Sequence, residues 1–243
     1  MHPTESNFSL RFFPYSNSAI LIEWPEEISE AILQDIRAFK CEIDEQQPCE
    51  SVMAYRSLLL IYKKKIDFKE TVKTLKKIYQ SREFLNIKPK QWKIPVLYNN
   101  KVGWDLEAFC TQKKLSPTDL IRLHTSAVYR VFAIGFLPGF MYLGGLDQKL
   151  WTPRHSKPRA KVPKGSVGIG GQQTGVYPQE SPGGWHLIGN APVQLFDAHR
   201  KKPCPISVGD TVRFSSISEE EHELINIQVK SGIFQMKNLL EHA

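Results

Sequence analysis

The chain has 243 residues, 41% of them hydrophobic and 23% charged, with a formal net charge of +7, an ordinary globular balance. No apolar run approaches the roughly 18 residues that span a bilayer, and Met1 to Arg11 carries Glu5 and lacks an apolar h-region. Neither a membrane span nor a secretory leader is expected. Cys41, Cys49, Cys110 and Cys204 are scattered without a Cys-x-x-Cys pair, which suits free thiols in the cytoplasm rather than a disulfide scaffold.

Residues 1–90 read as a small α/β domain. Phe8 to Tyr15 and Ala19 to Trp24 have the run of strands, with Asn17 and Ser18 as turn residues between them. After Pro25, Ile28, Ala31, Ile32, Ile36 and Phe39 fall at helical spacing. Ser51 to Tyr55 and Leu58 to Tyr62 are further strands, and Asp67 with Glu70 makes a capping-box-like helix start. Pro89 to Pro95 reads as a linker into a second domain, residues 91–243. Two short helices open that domain, one at Asp105 and one at Ser116, where Pro117 takes the first helical position. Ala127 to Ile134 is a strand. Short β-prone runs then alternate with turns: Val162, Val167 to Ile169, Trp185 to Ile188, Val193 to Phe196, Thr211 to Phe214 and Ile225 to Val229. Such spacing predicts a closed or nearly closed β-barrel and places the whole chain in the α+β class.

Twelve of the 15 glycines and seven of the 16 prolines lie in residues 135–192. Both residue types weaken strand interiors, so this density points to tight turns and to backbone that approaches a ligand closely. The same block holds six basic residues, all between Lys149 and Lys164, a stretch without one acid. Such a cluster either collects an anion or forms a solvated loop. Nucleic acid is not an expected partner, because Trp151 alone among the charges does not make the interleaved aromatic face that binding requires. Neither a phosphate-binding P-loop nor a Gly-x-Ser-x-Gly elbow occurs, and His222 to Asn226 misses the zinc-protease pattern. No protein-bound metal is expected.

Three stretches of this block, GFLPGFMYLGG (Gly135 to Gly145), PRHSKPRAKVPKGS (Pro153 to Ser166) and GQQTGVYPQESPGGWHLIG (Gly171 to Gly189), closely resemble the signature of the family of 5-oxoprolinase B subunits. That family is also described as KipI-like or as allophanate hydrolase subunit 1. Leu123 to Ser126 and Ala54 to Leu58 extend the resemblance over most of the chain. Tyr98-Asn99-Asn100-Lys101-Val102 departs from it, being polar and basic where relatives have a glycine-rich acidic turn. The resemblance implies a small N-terminal α/β domain followed by a cyclophilin-like β-barrel. It implies one component of a cytoplasmic, ATP-dependent 5-oxoprolinase complex that opens 5-oxoproline to glutamate, joined directly by a C subunit and functionally by an A subunit. Alternatives within the family are inhibition of a sensor histidine kinase and membership of an allophanate or urea amidolyase-type hydrolase.

Opening a lactam with ATP, taken with magnesium as the substrate complex, needs cations or backbone donors for phosphoryl oxygens, a proton-transfer group and a cradle for the carboxylate. Arg154 and Arg159 suit bidentate contact with an anion, and Lys161 and Lys164 suit point-charge contact. The amides of Gly168, Gly170 and Gly171 could form an anion nest, while Gln173 and Tyr177 offer neutral hydrogen bonds to the lactam edge. His124 lies on the apolar side of its helix and is either a core histidine or the proton-transfer group. His155 and His186 are loop histidines, exposed or in contact with ligand, and Trp185 either stacks on a ring or plugs the barrel mouth.

Overall fold

The computed structural model describes residues 8–82 and 88–241; the segment that carries Glu5 lies outside them. The chain divides into two compact units, Met1–Lys88 and Pro89–Ala243. Among the described residues no helix is long and apolar enough to cross a membrane.

The first unit runs β1 (Arg11–Ser16), β2 (Ala19–Glu23), α1 (Glu30–Gln46), β3 (Cys49–Ala54), β4 (Ser57–Tyr62) and α2 (Phe68–Ser81). Its strands pair antiparallel in the order β1-β2-β4-β3. Both helices start where a side chain takes an orphan amide: Ser29 accepts from the Ile32 N–H and Asp67 from the Glu70 N–H. Ile20 and Ile22 of β2 and Leu58 and Leu60 of β4, at alternate positions, pack with Ile32, Ile36, Phe39 and Ile43 of α1. Inside this core Asp35 accepts from Trp24 and Tyr79 at 2.7 Å each and pairs with Arg82 at 2.5 Å.

The second unit contains β5 (Gln91–Val96), α3 (Leu106–Lys113), α4 (Pro117–Ser126), β6 (Tyr129–Ile134), β7 (Met141–Gly144), β8 (Arg159–Val162), β9 (Ser166–Gly170), β10 (Gln173–Val176), β11 (Ser181–Gly183), β12 (His186–Asn190), β13 (Thr211–Ser216) and α5 (Glu219–Lys230). Its main sheet follows the order β5-β13-β6-β7-β10-β9-β12, antiparallel except for the parallel β5–β13 pair. This is an open, mainly antiparallel sheet in a mixed α/β protein. Its two ends meet at one bridge, where Leu97 and Asn190 exchange backbone hydrogen bonds of 2.9 Å.

Three segments differ from the sequence expectation. The proline-flanked linker is in fact β5; Pro95 is tolerated because β5 pairs on the β13 side alone among the described strands. Val193 to Phe196 is irregular. Ile225 to Val229 alternates like a strand but lies in α5, because Ser218 and Glu221 close a full capping box upstream and Glu219 to Glu221 load the first turn with acid.

Loop tethers hold the basic stretch against the sheet. Thr152 and Gly171 bond both ways, the His155 N–H donates to the Gly184 carbonyl at 2.7 Å, and β8 pairs with β11.

Candidate active site

Within the glycine-rich block the structure forms a pocket of about 260 Å³. Its wall is aromatic: Phe140 packs edge-on against Tyr177 and Trp185, both at 5.3 Å, and against Tyr142 at 5.0 Å. Gly183 and Gly184 form part of the lining; a Cβ on Gly183 would collide with the Tyr177 hydroxyl oxygen. Phe136 stands 62% exposed with φ +68°, a left-handed backbone that is costly for an aromatic residue and found where a site imposes it. Arg154 lines the pocket with its guanidinium 5.7 Å from the Trp185 ring, the distance of a cation–π contact. Burial raises the Tyr177 phenol above its usual pKa, so it enters the pocket as a neutral hydroxyl.

His155 belongs both to this lining and to a polar cluster beside it. Asp105, immediately before α3, accepts from the Leu187 N–H at 2.7 Å and from Arg159 at 2.5 Å, with His155 Nε2 at 3.5 Å. Burial alone would raise the Asp105 carboxyl, but the Leu187 amide and the Arg159 guanidinium hold it below its usual range. The His186 ring lies 3.9 Å from that of His155 and bonds through Nε2 to the Pro153 carbonyl at 3.0 Å. Two buried polar atoms here, His155 Nε2 and Arg159 Nη1, have no hydrogen-bond partner.

The structure separates the residues that the sequence put together. Arg154 and Tyr177 line the pocket, while Arg159 is turned onto Asp105. Lys161 and Lys164 are exposed, Lys161 standing 3.7 Å from Glu180. Gln173 is half-buried and opens β10 opposite Gly170. The anion nest is not formed. Gly168 and Gly170 lie in β9, paired with β10 and β12, and the Gly171 amide is bonded to Thr152. Gly168 and Gly170 instead make room for Trp185: a Cβ on Gly170 would stand 2.5 Å from the indole.

His124 does not line the pocket; it is 0% exposed in the core and stacks on Phe214 at 4.6 Å. Thr174 Oγ1 donates to the Gly168 carbonyl, so it accepts from His124 Nε2 at 2.8 Å, and Nδ1 accepts from the Tyr98 hydroxyl at 2.7 Å. Burial pushes its pKa down to about 3. Every polar position on the ring is taken, which makes His124 a neutral structural link rather than an exposed proton carrier. Asp105, by contrast, signals only a helix start in the sequence; nothing local announces its partners at Arg159 and Leu187.

The family model described as carboxyltransferase domain, subdomain C and D, matches residues 10–206. The 5-oxoprolinase B subunit of Haemophilus influenzae is 37% identical over 206 residues, which cover 84% of this chain and 97% of that protein. That of Bacillus subtilis is 36% identical, covering 85% and 92%. The chain belongs to the family of 5-oxoprolinase B subunits. Among solved structures, TTHA0988 is similar with a TM-score of 0.72 at 31% identity, covering 86% of this chain, which spans 40% of that one. The urea amidolyase of Kluyveromyces lactis shares the fold, with a TM-score of 0.79 at 22% identity; the chain spans 16% of it. The two relatives with near whole-length similarity are thus named as subunits, and these two solved neighbours are longer chains.

Proposed function

We propose that this chain is one component of a cytoplasmic, ATP-dependent 5-oxoprolinase that opens 5-oxo-L-proline to L-glutamate. It would act with a directly bound C subunit and with an A subunit of the same enzyme. The observation that carries the reading is similarity over 97% and 92% of the length of two relatives that bear the B subunit's name. The Leu97–Asn190 bridge supports a cyclophilin-like barrel as the form of the second unit, and four free thiols suit a reducing compartment.

The pocket fits the smaller reactant. Its 260 Å³ lies below the range of roughly 300–1,000 Å³ that holds drug-sized ligands, enough for a five-membered lactam and too little for a nucleoside triphosphate. In this reading the flat lactam lies against Trp185 and Phe140, and the Arg154 fork takes its carboxylate. The neutral Tyr177 hydroxyl bonds the amide edge. The nucleotide, with its magnesium, meets the lactam oxygen at the pocket mouth, with partner chains supplying the phosphate contacts. Phosphoryl transfer to that oxygen releases ADP and breaks the amide resonance. Water then adds to the carbon, the C–N bond opens with a proton passing to nitrogen, and a further water releases phosphate, leaving glutamate.

Co-expression with a candidate C subunit should give a complex that co-purifies, and adding the A subunit should give glutamate from 5-oxoproline and ATP. The isolated chain should turn over little or none. In the complex, Arg154→Ala should weaken 5-oxoproline binding by about one to two decades, the worth of a hydrogen bond to a charged group, with partial rescue by Arg154→Lys. Robust turnover by the single chain, or unchanged 5-oxoproline binding in Arg154→Ala, overturns the corresponding part of the reading.

A further inference from the structure

We propose that Asp105, His155 and His186 form a binding site for a divalent transition-metal ion. One donor atom from each residue lies within 4.8 Å of the other two. Tetrahedral ligands about 2.0–2.1 Å from zinc stand about 3.4 Å from one another. His155 Nε2 and Asp105 Oδ2, 3.5 Å apart, already have that separation, and the His186 ring lies 3.9 Å from that of His155.

The surroundings are those of a ligand set. The Pro153 carbonyl can only accept, so His186 Nε2 carries the hydrogen and the lone pair is on Nδ1. A metal-binding histidine is typically fixed in this way by a backbone carbonyl on its other nitrogen. His155 Nε2 is buried with no hydrogen-bond partner, so with the ring hydrogen on Nδ1 its lone pair is free for a metal ion. Arg159 occupies Asp105 Oδ1 and the Leu187 N–H takes one lone pair of Oδ2, leaving the other free for an ion. The three residues are also held in place: the Asp105 carboxylate is bonded to the Leu187 N–H and to Arg159, the His155 backbone is tied to Gly184, and His186 opens β12.

Two imidazoles and one carboxylate favour Zn²⁺, Co²⁺ or Ni²⁺ over Mg²⁺ or Ca²⁺. The Arg159 charge opposes the cation, so affinity should be micromolar rather than that of a structural zinc site. Because His155 also lines the aromatic pocket, the ion would sit at the pocket wall. The proposal does not depend on the lactam reading.

The test uses untagged full-length protein, stripped with chelator and titrated with Co²⁺ and Zn²⁺ by calorimetry and visible absorption. One ion per chain should bind, with the d–d bands of tetrahedral cobalt, and His155→Ala and His186→Ala should each weaken it by at least about tenfold. Zn²⁺ should also protect His155 and His186 of the wild-type chain from acylating reagent, a readout that needs no variant to fold. Substoichiometric binding by the wild type, unchanged affinity in both variants, or labelling of both histidines unaffected by zinc overturns the site.

Discussion

Replacing His124 with Gln tests whether the buried imidazole is a structural link whose neutrality the fold enforces. Its folded pKa is pushed down to about 3 by burial, whereas an unfolded chain titrates near 6.5. For a group depressed in the native state, the unfolded chain binds the extra proton. Stability is therefore fully present above about pH 6.5 and falls as pH drops toward 3. At pH 5 the loss from this one residue is about 2 kcal/mol, rising by about 1.4 kcal/mol for each further unit until the folded pKa is reached. Gln keeps a donor and an acceptor for Thr174 and Tyr98 but has no proton to gain. Urea unfolding at pH 8 and pH 5 should thus show the wild type losing about 2 kcal/mol more than H124Q, with all other titrations common to both. His124→Leu should be less stable than either at pH 8 by about 2–5 kcal/mol, since the Tyr98 and Thr174 hydroxyls lose their partner in the core. Equal pH slopes in wild type and H124Q would refute the reasoning. Full loss of complex activity in a stable H124Q, with its binding of 5-oxoproline intact, would return His124 to proton transfer.

In the first unit, Asp35→Ala leaves Arg82 buried without its carboxylate and removes the acceptor of Trp24 and Tyr79. A loss of about 3–5 kcal/mol is expected in chemical unfolding followed by tryptophan fluorescence, and a loss below about 1 kcal/mol would contradict it. At the pocket, Gly170→Ala places a methyl 2.5 Å from the Trp185 indole. It should cost about 1–3 kcal/mol of stability and raise the KM for 5-oxoproline in the complex. Gly135→Ala, where a Cβ meets nothing within 4 Å, should change neither.

What could be read locally was what local chemistry decides. Asp67 and Ser116 mark helix starts because a side-chain oxygen reaches an amide only three residues on. The glycine and proline density of residues 135–192 pointed to turns and a ligand-facing surface because those residues weaken strand interiors, and the aromatic pocket lies in that block, although Gly168 and Gly170 themselves sit within β9. The run Ile225 to Val229 was misleading because alternation over five residues fits a strand or a weakly packed helix, and the capping box upstream settled it. His124 could be placed on the apolar face of α4, but Tyr98 and Thr174, 26 and 50 positions away, made it neutral. Arg159 had no acid near it in the chain, yet Asp105, 54 positions earlier, neutralises it. Gly168 and Gly170 suggested an anion nest until strand pairing consumed their amides and Trp185 filled the space above them. Propensity and capping act within about one helical turn, whereas the charge state and partners of a buried side chain depend on the dielectric and the atoms that folding brings to it from distant positions.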